Sequence, residues 1–223
     1  MNKLNINYPD DEKLKKLTEK QKDILRELGN IGSGNAIVAL SDLLNRTIEM
    51  SLTSIDIVPF WKIPYLFGDD KMEVFGIYSK IEGENDFRVL QIYSKESVIN
   101  MINTLTDFEK IKVDEIKVVH DLDDFSKSII LEVGNILTGH YTSALANLLS
   151  ISLIPDVPEL ALENIAAITN CIIVAYCQKS DFAIVIETTM RIEDLKLKGI
   201  LCFIPSIETV DKFLNTITSK FNI

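Results

Sequence analysis

The chain has 223 residues, of which 47% are hydrophobic, and its acidic residues outnumber its basic ones by 33 to 23, which gives a formal net charge of −10. This length and composition allow one substantial hydrophobic core or two small ones. Because phosphate backbones attract lysine and arginine, the acidic balance argues against binding to nucleic acid. The longest unbroken apolar run, residues 171–177, is too short to cross a membrane, and the polar N-terminus argues against a secretory signal.

The predicted elements of the first half begin with a long helix from Glu12 to about Arg46, where apolar residues recur at helical spacing. Three strands are predicted after it, at Ser54–Phe60, Glu73–Ile81 and Arg88–Tyr93. The last two strands flank a turn-rich segment that is typical of a hairpin. A helix over Lys95–Leu105 is then opened by Ser94. A charged connector, residues 106–124, leads to the second half.

The second half is predicted to follow the same plan. It begins with a helix from about Asp123 to Ser150. The elements expected after that helix are a strand near Ser152–Val157, a helix around Glu163–Tyr176, strands at Phe182–Met190 and Gly199–Ile204, and a final helix from Ser206 to about Ser219.

An internal repeat relates the two halves. Residues 27–44 align with residues 132–149 at an offset of 105, and nine of the eighteen aligned positions are identical. A weaker similarity relates residues 89–102 to residues 200–214. We therefore predict a single domain over residues 1–223, with duplicated halves at about 10–106 and about 123–220. Hairpin-connected strands interrupted by helices predict an α+β fold, in which two pseudo-symmetric halves share a largely antiparallel sheet and two long helices carry the repeated segment.

Each repeat contains a stripe of polar residues. Three positions fall at i, i+4 and i+7, which places them on one helix face. The stripe residues are Asp23, Glu27 and Asn30 in the first copy and Ser128, Glu132 and Asn135 in the second. Solvated positions have no reason to keep one identity between diverged halves, and asparagine is a mediocre helix former. The repetition therefore indicates a function for the carboxylate and the carboxamide, and the stripe is expected to point outward.

Glycines flank the stripe at positions that a helix disfavours. Gly29, Gly32 and Gly34 lie within six residues, and each costs about 1 kcal/mol relative to alanine in a helix interior. Two explanations stay open. A missing Cβ lets two backbones pack closely, or it lets a partner protein approach Asn30 without obstruction.

Other kinds of chemistry have little support in the sequence. No serine or cysteine nucleophile has an evident histidine partner, and no phosphate-binding glycine loop follows a strand. The cysteines Cys171, Cys177 and Cys202 lie in apolar runs and fit buried free thiols in a reducing cytoplasm. The two histidines lack metal-ligand spacing with them, so neither a metal site nor a cofactor is expected.

The two copies of [Asp/Ser]-x-x-x-Glu-x-x-Asn resemble the CheC family of chemotaxis phosphatases, to which CheX and FliY are related. The family pattern continues with a proline after 22 further residues. Pro158 meets this requirement in the second copy, whereas Thr53 stands there in the first. The resemblance covers about residues 10–220. No added flagellar-switch domain is evident, so the chain is similar to stand-alone CheC.

The resemblance implies hydrolysis of the aspartyl phosphate on the response regulator CheY in the cytoplasm. Asn30 and Asn135 would orient the attacking water, and Glu27 and Glu132 would pair with the regulator's active-site lysine. Supporting or docking roles would fall to Asp23, Ser128 and Pro158. The regulator would supply its own Mg²⁺.

The resemblance also implies a second partner, the receptor deamidase CheD, and the helix around Glu163–Tyr176 is the candidate docking surface. The alternative function is a non-catalytic adaptor that binds phosphorylated CheY, CheD or both. A structural role in the flagellar switch is a third possibility. Two internal halves make a monomer sufficient.

Overall fold

The computed structural model describes residues 18–83, 87–106, 110–176, 182–192, 194–205, 215–216 and 218–219. In this part of the chain the α-helices are α1 (Glu19–Leu44), α2 (Lys95–Leu105), α3 (Asp124–Leu149) and α4 (Ile165–Tyr176). The strands are β1 (Ile48–Pro59), β2 (Glu73–Gly83), β3 (Phe87–Ser94), β4 (Leu153–Pro155), β5 (Glu159–Asn164), β6 (Phe182–Ile192) and β7 (Leu195–Pro205). Most of the predicted final helix lies outside the described residues.

The strands form one antiparallel sheet. Its order is β1-β6-β7-β3-β2, and β4 and β5 both pair with β2 along the far edge. The edge strand β1 comes from the first half but pairs with β6 of the second half. Conversely, β4 and β5 come from the second half but pair with β2 of the first half. The two halves therefore exchange edge strands within one sheet, which confirms the predicted α+β fold.

The long helices α1 and α3 pack side by side over one face of this sheet. They run antiparallel, because Leu25 near the start of α1 and Leu145 near the end of α3 line the same small cavity. A large core lies between these helices, α2 and the sheet. The other face of the sheet is covered by α4 and a 3₁₀ segment, Phe60–Phe67, over a second apolar cluster. No helix among the described residues combines the length and the apolar character that crossing a membrane requires.

The first long helix begins later than predicted. Thr18 has an extended backbone, and its hydroxyl accepts a hydrogen bond from the amide of Gln21, while the side chain of Gln21 accepts one from the amide of Thr18. This reciprocal arrangement is a capping box, which satisfies donors that a helix start leaves unpaired. A continuous helix from Glu12 is therefore wrong, and the Thr-x-x-Gln sequence was the signal that marks the true start.

The edge strands were predicted less well than the central ones. β1 begins at Ile48 and not at Ser54, although Ile48, Met50 and Leu52 alternate with polar residues as a half-buried strand requires. The segment Glu159–Asn164 is a strand, so the helix predicted from Glu163 begins two residues later. Only Leu162 is buried in β5, which leaves a weak apolar signal. The 3₁₀ segment was not predicted at all.

The cysteines differ from the prediction in one respect. Cys202 is a free and fully buried thiol on β7, and its burial raises its pKa to about 12. Cys171 is also free, but α4 turns it toward solvent. Cys177 lies outside the described residues.

Candidate functional site

The two polar stripes lie on the solvent-facing sides of α1 and α3. All six stripe residues are exposed: Asp23, Glu27, Asn30, Ser128, Glu132 and Asn135. The opposite face of α1 is buried along Leu25, Ala36 and Leu40. The outward orientation of the stripes therefore agrees with the spacing argument, while the catalytic role of these residues stays a prediction.

The glutamates and asparagines of both stripes are unengaged. The side chains of Glu27, Asn30, Glu132 and Asn135 make no hydrogen bond or ion pair with any residue that the structure describes. Each stripe therefore offers a partner two free groups. These are the carboxylate of the glutamate and, one turn further along the helix, the carboxamide of the asparagine. A carboxamide both donates and accepts hydrogen bonds, so it can hold a water molecule in a fixed orientation.

The first residue of each stripe is engaged within its own helix. The Asp23 carboxylate accepts a hydrogen bond from the Arg26 guanidinium at 2.6 Å in an exposed ion pair. The Ser128 hydroxyl instead donates to the carbonyl of Phe125 at 2.7 Å. An exposed ion pair contributes little to stability. The two stripes therefore differ in charge at this position, and neither residue is held by the core.

Three glycines of the repeats are explained by close packing. A Cβ on Gly29 would collide with the Leu52 side chain of β1, and one on Gly32 would lie 2.9 Å from Cδ1 of Tyr141 on α3. A Cβ on Gly134 would lie 2.7 Å from Cδ1 of Ile77. These contacts favour the packing explanation at these three positions.

A buried hydrogen-bond network fastens α3 beside Asn135. Nε2 of Gln91, on the central strand β3, donates to the carbonyl of Gly134 at 2.6 Å and to the hydroxyl of Thr138 at 2.8 Å. The hydroxyl of Tyr93 donates to Oε1 of Gln91 at 2.9 Å. Polar groups at such depth are stabilising only when they are satisfied, so this network fixes the height of α3 above the sheet.

The corresponding position in α1 is satisfied differently. The carbonyl of Gly29 accepts a hydrogen bond from the Ser33 hydroxyl at 2.7 Å, which is a contact within the helix. Sequence reasoning did not single out Gln91, since a lone glutamine in an apolar strand gives no indication of which helix it will contact.

A groove of about 550 Å³ runs beside the first stripe, between α1 and α3. Asp23 and Glu27 line its α1 side, and Ala144, Asn147 and Leu148 line its α3 side. The first stripe is therefore bordered by the C-terminal end of the second long helix. A partner that contacts Glu27 would also meet residues from the second half of the chain.

The proline position of the motif coincides with an interruption of each edge strand. Thr53 falls where the pairing of β1 with β6 shifts its register between Leu52 and Ser54. Pro158 falls between β4 and β5, where pairing with β2 is interrupted. Proline lacks the backbone donor that a strand ladder needs, so the break at Pro158 follows from its chemistry. In the first copy Thr53 occupies the irregular position without a proline.

A model of the CheC-like family matches residues 21–51 and 125–162, the two segments that contain the stripes. The chain is also 31% identical over 203 residues to "CheY-P phosphatase CheC" of Bacillus subtilis (strain 168), an alignment that covers 88% of this chain and 93% of that protein. The family model and this relative together identify the class of protein. The chain belongs to the CheC-like family.

Solved structures support the same fold. The crystal structure of Thermotoga maritima FliY superposes with a TM-score of 0.68 at 22% identity, covering 92% of this chain and 98% of that one. A chain of the FliM–SpeE complex from H. pylori superposes with a TM-score of 0.65 at 12% identity, covering 91% of this chain and 97% of that one. At such identities the likeness establishes the fold alone.

Proposed function

We propose that this chain is a phosphatase that hydrolyses the aspartyl phosphate of the chemotaxis response regulator CheY in the cytoplasm. The observation that supports it most directly is the pair of exposed, unengaged Glu-x-x-Asn stripes on a chain of the CheC-like family. The family relative from Bacillus subtilis is a CheY-P phosphatase by name. The chain needs no cofactor of its own, because the regulator carries the Mg²⁺ that neutralises the phosphoryl oxygens.

The reaction is the attack of water on the phosphorus of an acyl phosphate. A new P–O bond forms to the water oxygen, the bond between phosphorus and the carboxyl oxygen of the regulator's aspartate breaks, and the water's proton passes to phosphate or solvent. The products are inorganic phosphate and the free aspartate carboxylate. Little covalent assistance is needed, since positioning and charge stabilisation account for most catalysis of phosphoryl transfer.

The stripe residues supply that positioning. Asn30 or Asn135 holds the attacking water in line with the phosphorus through its carboxamide. Glu27 or Glu132, one turn away on the same face, pairs with the regulator's active-site lysine and fixes the register of the complex. Asp23, Ser128 and Pro158 have supporting roles in docking.

The test is phosphate release from the phosphorylated cognate regulator, measured with and without this chain. Release well above the regulator's own autodephosphorylation supports the phosphatase function. A rate equal to that baseline, also in the presence of CheD, would favour the alternative of a non-catalytic adaptor. Titration with the phosphorylated regulator would then show binding without turnover.

Removal of the glutamate charges is expected to weaken docking more than turnover. The Glu27→Gln/Glu132→Gln variant keeps the shape of both side chains but loses the charge-assisted contact. We expect KM for the phosphorylated regulator to rise about tenfold, with a smaller change in kcat and a flatter dependence on salt. Phosphate release against regulator concentration at low and high salt measures both parameters.

The matched control for this variant is Glu96→Gln, which removes an exposed glutamate from α2. It should leave KM and its salt dependence at wild-type values. A fall in kcat at unchanged KM in the double stripe variant would contradict the docking role and assign the glutamates to the reaction itself.

We also propose that CheD docks on α4, on the opposite face of the sheet from both stripes. Ile165, Ile168 and Ile172 hold α4 against the second apolar cluster, while Val174 is 81% exposed. An exposed apolar side chain on a short surface helix is a suitable anchor for a partner protein. Because the stripes lie on the other face, CheD and the regulator can bind together, and one copy of the chain is sufficient for both.

A charge at the centre of this surface is expected to abolish CheD binding and to spare phosphate release. Val174→Asp places a carboxylate where the partner would have to bury it, which is costly without a pairing cation. Calorimetric titration with CheD measures the loss, expected to be at least about a hundredfold in Kd. If the Val174→Asp variant binds CheD with wild-type affinity, the docking surface lies elsewhere. The thermal unfolding of the variant should match that of the wild type, which shows that the fold is intact.

A further inference from the structure

The polar stripe of each long helix continues one turn beyond its asparagine and ends in a glycine. Gly34 follows Asn30 by four residues and Gly139 follows Asn135 by four, so each lies on the stripe face, about 6 Å further along the helix axis. The full stripes are Asp23, Glu27, Asn30 and Gly34 in α1, and Ser128, Glu132, Asn135 and Gly139 in α3. The glycine occupies the same place in both copies.

Packing among the residues that the structure describes does not account for these two glycines. In the described part of the chain, a Cβ on Gly34 or on Gly139 would meet no neighbouring atom within 4 Å, whereas Gly29, Gly32 and Gly134 each lie against a side chain from another element. Both helices are regular at these positions, and neither glycine has a positive φ. A glycine inside a helix is unfavourable relative to alanine because it leaves more freedom in the unfolded chain. No contact with the residues described here offsets this cost at Gly34 or Gly139.

We propose that Gly34 and Gly139 are clearance positions, at which the phosphorylated regulator rests directly on the helix backbone; this inference depends on the phosphatase function proposed above. The carboxamide of asparagine is short, and the acyl phosphate that it serves is held within the regulator's own site. The helix surface around Asn30 or Asn135 must therefore come into contact with the rim of that site.

A side chain one turn from the asparagine would hold the two surfaces apart. A displacement of about 1 Å at the reacting atoms is enough to cost roughly a hundredfold in rate when catalysis depends on position. The missing side chain at Gly34 and Gly139 is thus a requirement of the complex and not of the free protein. It follows that adding a side chain should stabilise the free protein and weaken the complex.

The experiment uses the Gly34→Leu/Gly139→Leu variant and the milder Gly34→Ala/Gly139→Ala variant. Leucine and alanine are both better helix formers than glycine, so the melting temperature should rise by roughly 2–4 °C for each substitution. Phosphate release should fall at least about tenfold with leucine and by less with alanine, in order of side-chain size. Affinity for the cognate regulator loaded with beryllium fluoride, which mimics its acyl phosphate, should fall in the same order.

The opposite signs of the two effects distinguish this inference from a structural role. A higher melting temperature together with wild-type affinity and turnover would overturn it, because the regulator would then not approach this turn of the helix. A lower melting temperature would also overturn it, since the added side chain would then meet the chain itself. The binding measurement applies even if the wild-type chain releases no phosphate, so the failure of the glycine inference and the failure of the phosphatase function can be told apart.

Discussion

The Asn30→Ala/Asn135→Ala variant is expected to reduce the phosphatase activity, taken as phosphate release above the regulator's autodephosphorylation, by at least about a hundredfold. Removal of one preorganised hydrogen-bonding group from a catalytic site costs on this order, because nothing else holds the reacting water in line. Both asparagines are exposed and have no partner among the described residues, so neither substitution should disturb the fold. Single-turnover phosphate release measures the effect.

The single variants Asn30→Ala and Asn135→Ala show how much of the phosphatase activity each of the two sites contributes. Asn35→Ala is the matched control, since Asn35 is also exposed on α1 but lies off the stripe, and it should keep wild-type activity. If the double variant retains wild-type turnover, the carboxamides do not position the water and another group must do so. If affinity for the regulator disappears together with activity, the asparagines act in docking and not in the reaction.

Gly32→Val is expected to destabilise the chain by about 3 kcal/mol, the largest effect on stability that we expect from a single added side chain in the two long helices. A Cβ on Gly32 would lie 3.2 Å from the backbone Cα of Tyr141, which cannot turn aside as a flexible side chain would. The Tyr141 ring is also confined, since it packs against the Phe203 ring at 6.3 Å between centroids. Valine would therefore force α1 and α3 apart, and overpacking of this kind costs up to about 3 kcal/mol.

The midpoint of urea unfolding at an unchanged slope measures this loss. Gly34→Val is the matched control, because it makes the same substitution two residues along the same helix but in open space. It should leave the free energy of unfolding unchanged or slightly higher. Equal losses in the two variants would contradict the role of the contact with Tyr141, because Gly34 has no such neighbour and valine is a better helix former than glycine.

The elements that the sequence predicts well are those whose signals are local. The helix over Lys95–Leu105 was predicted to the residue, because the Ser94 side chain caps it by accepting from the amide of Ser97 and its apolar residues face one way. The central hairpin strands were also predicted, since they are buried on both faces. β5 was missed because an edge strand with a single buried residue lacks the alternation that identifies strands.

The exchange of edge strands could not be predicted from the pattern of residues. Whether β1 pairs with its own half or with β6 is decided by contacts between residues far apart in the chain. The division into halves at about 10–106 and about 123–220 stays a prediction, although the repeated segments and the strand order are compatible with it.

In the candidate site too, contacts between residues far apart in the chain could not be predicted from the sequence. The stripes and their exposure follow from helical spacing and from repetition of Glu27 and Asn30 in the second half. The sequence does not show why glycine is present at each position, because Gly29, Gly32 and Gly34 are chemically identical. Only the neighbours that the fold supplies separate the glycines that permit packing from those that face open space.

The exchange of edge strands has a consequence for folding during synthesis. β1 leaves the ribosome early, but its partner β6 ends at Ile192, well over a hundred residues later. At about 5–20 residues per second, β1 waits roughly 7–27 seconds for its hydrogen-bonding partner. The N-terminal half therefore cannot complete its sheet ahead of the C-terminal half, as independent domains do. An unpaired strand edge is prone to aggregation, so the edge of β1 is exposed to this risk until the hairpin of β6 and β7 emerges.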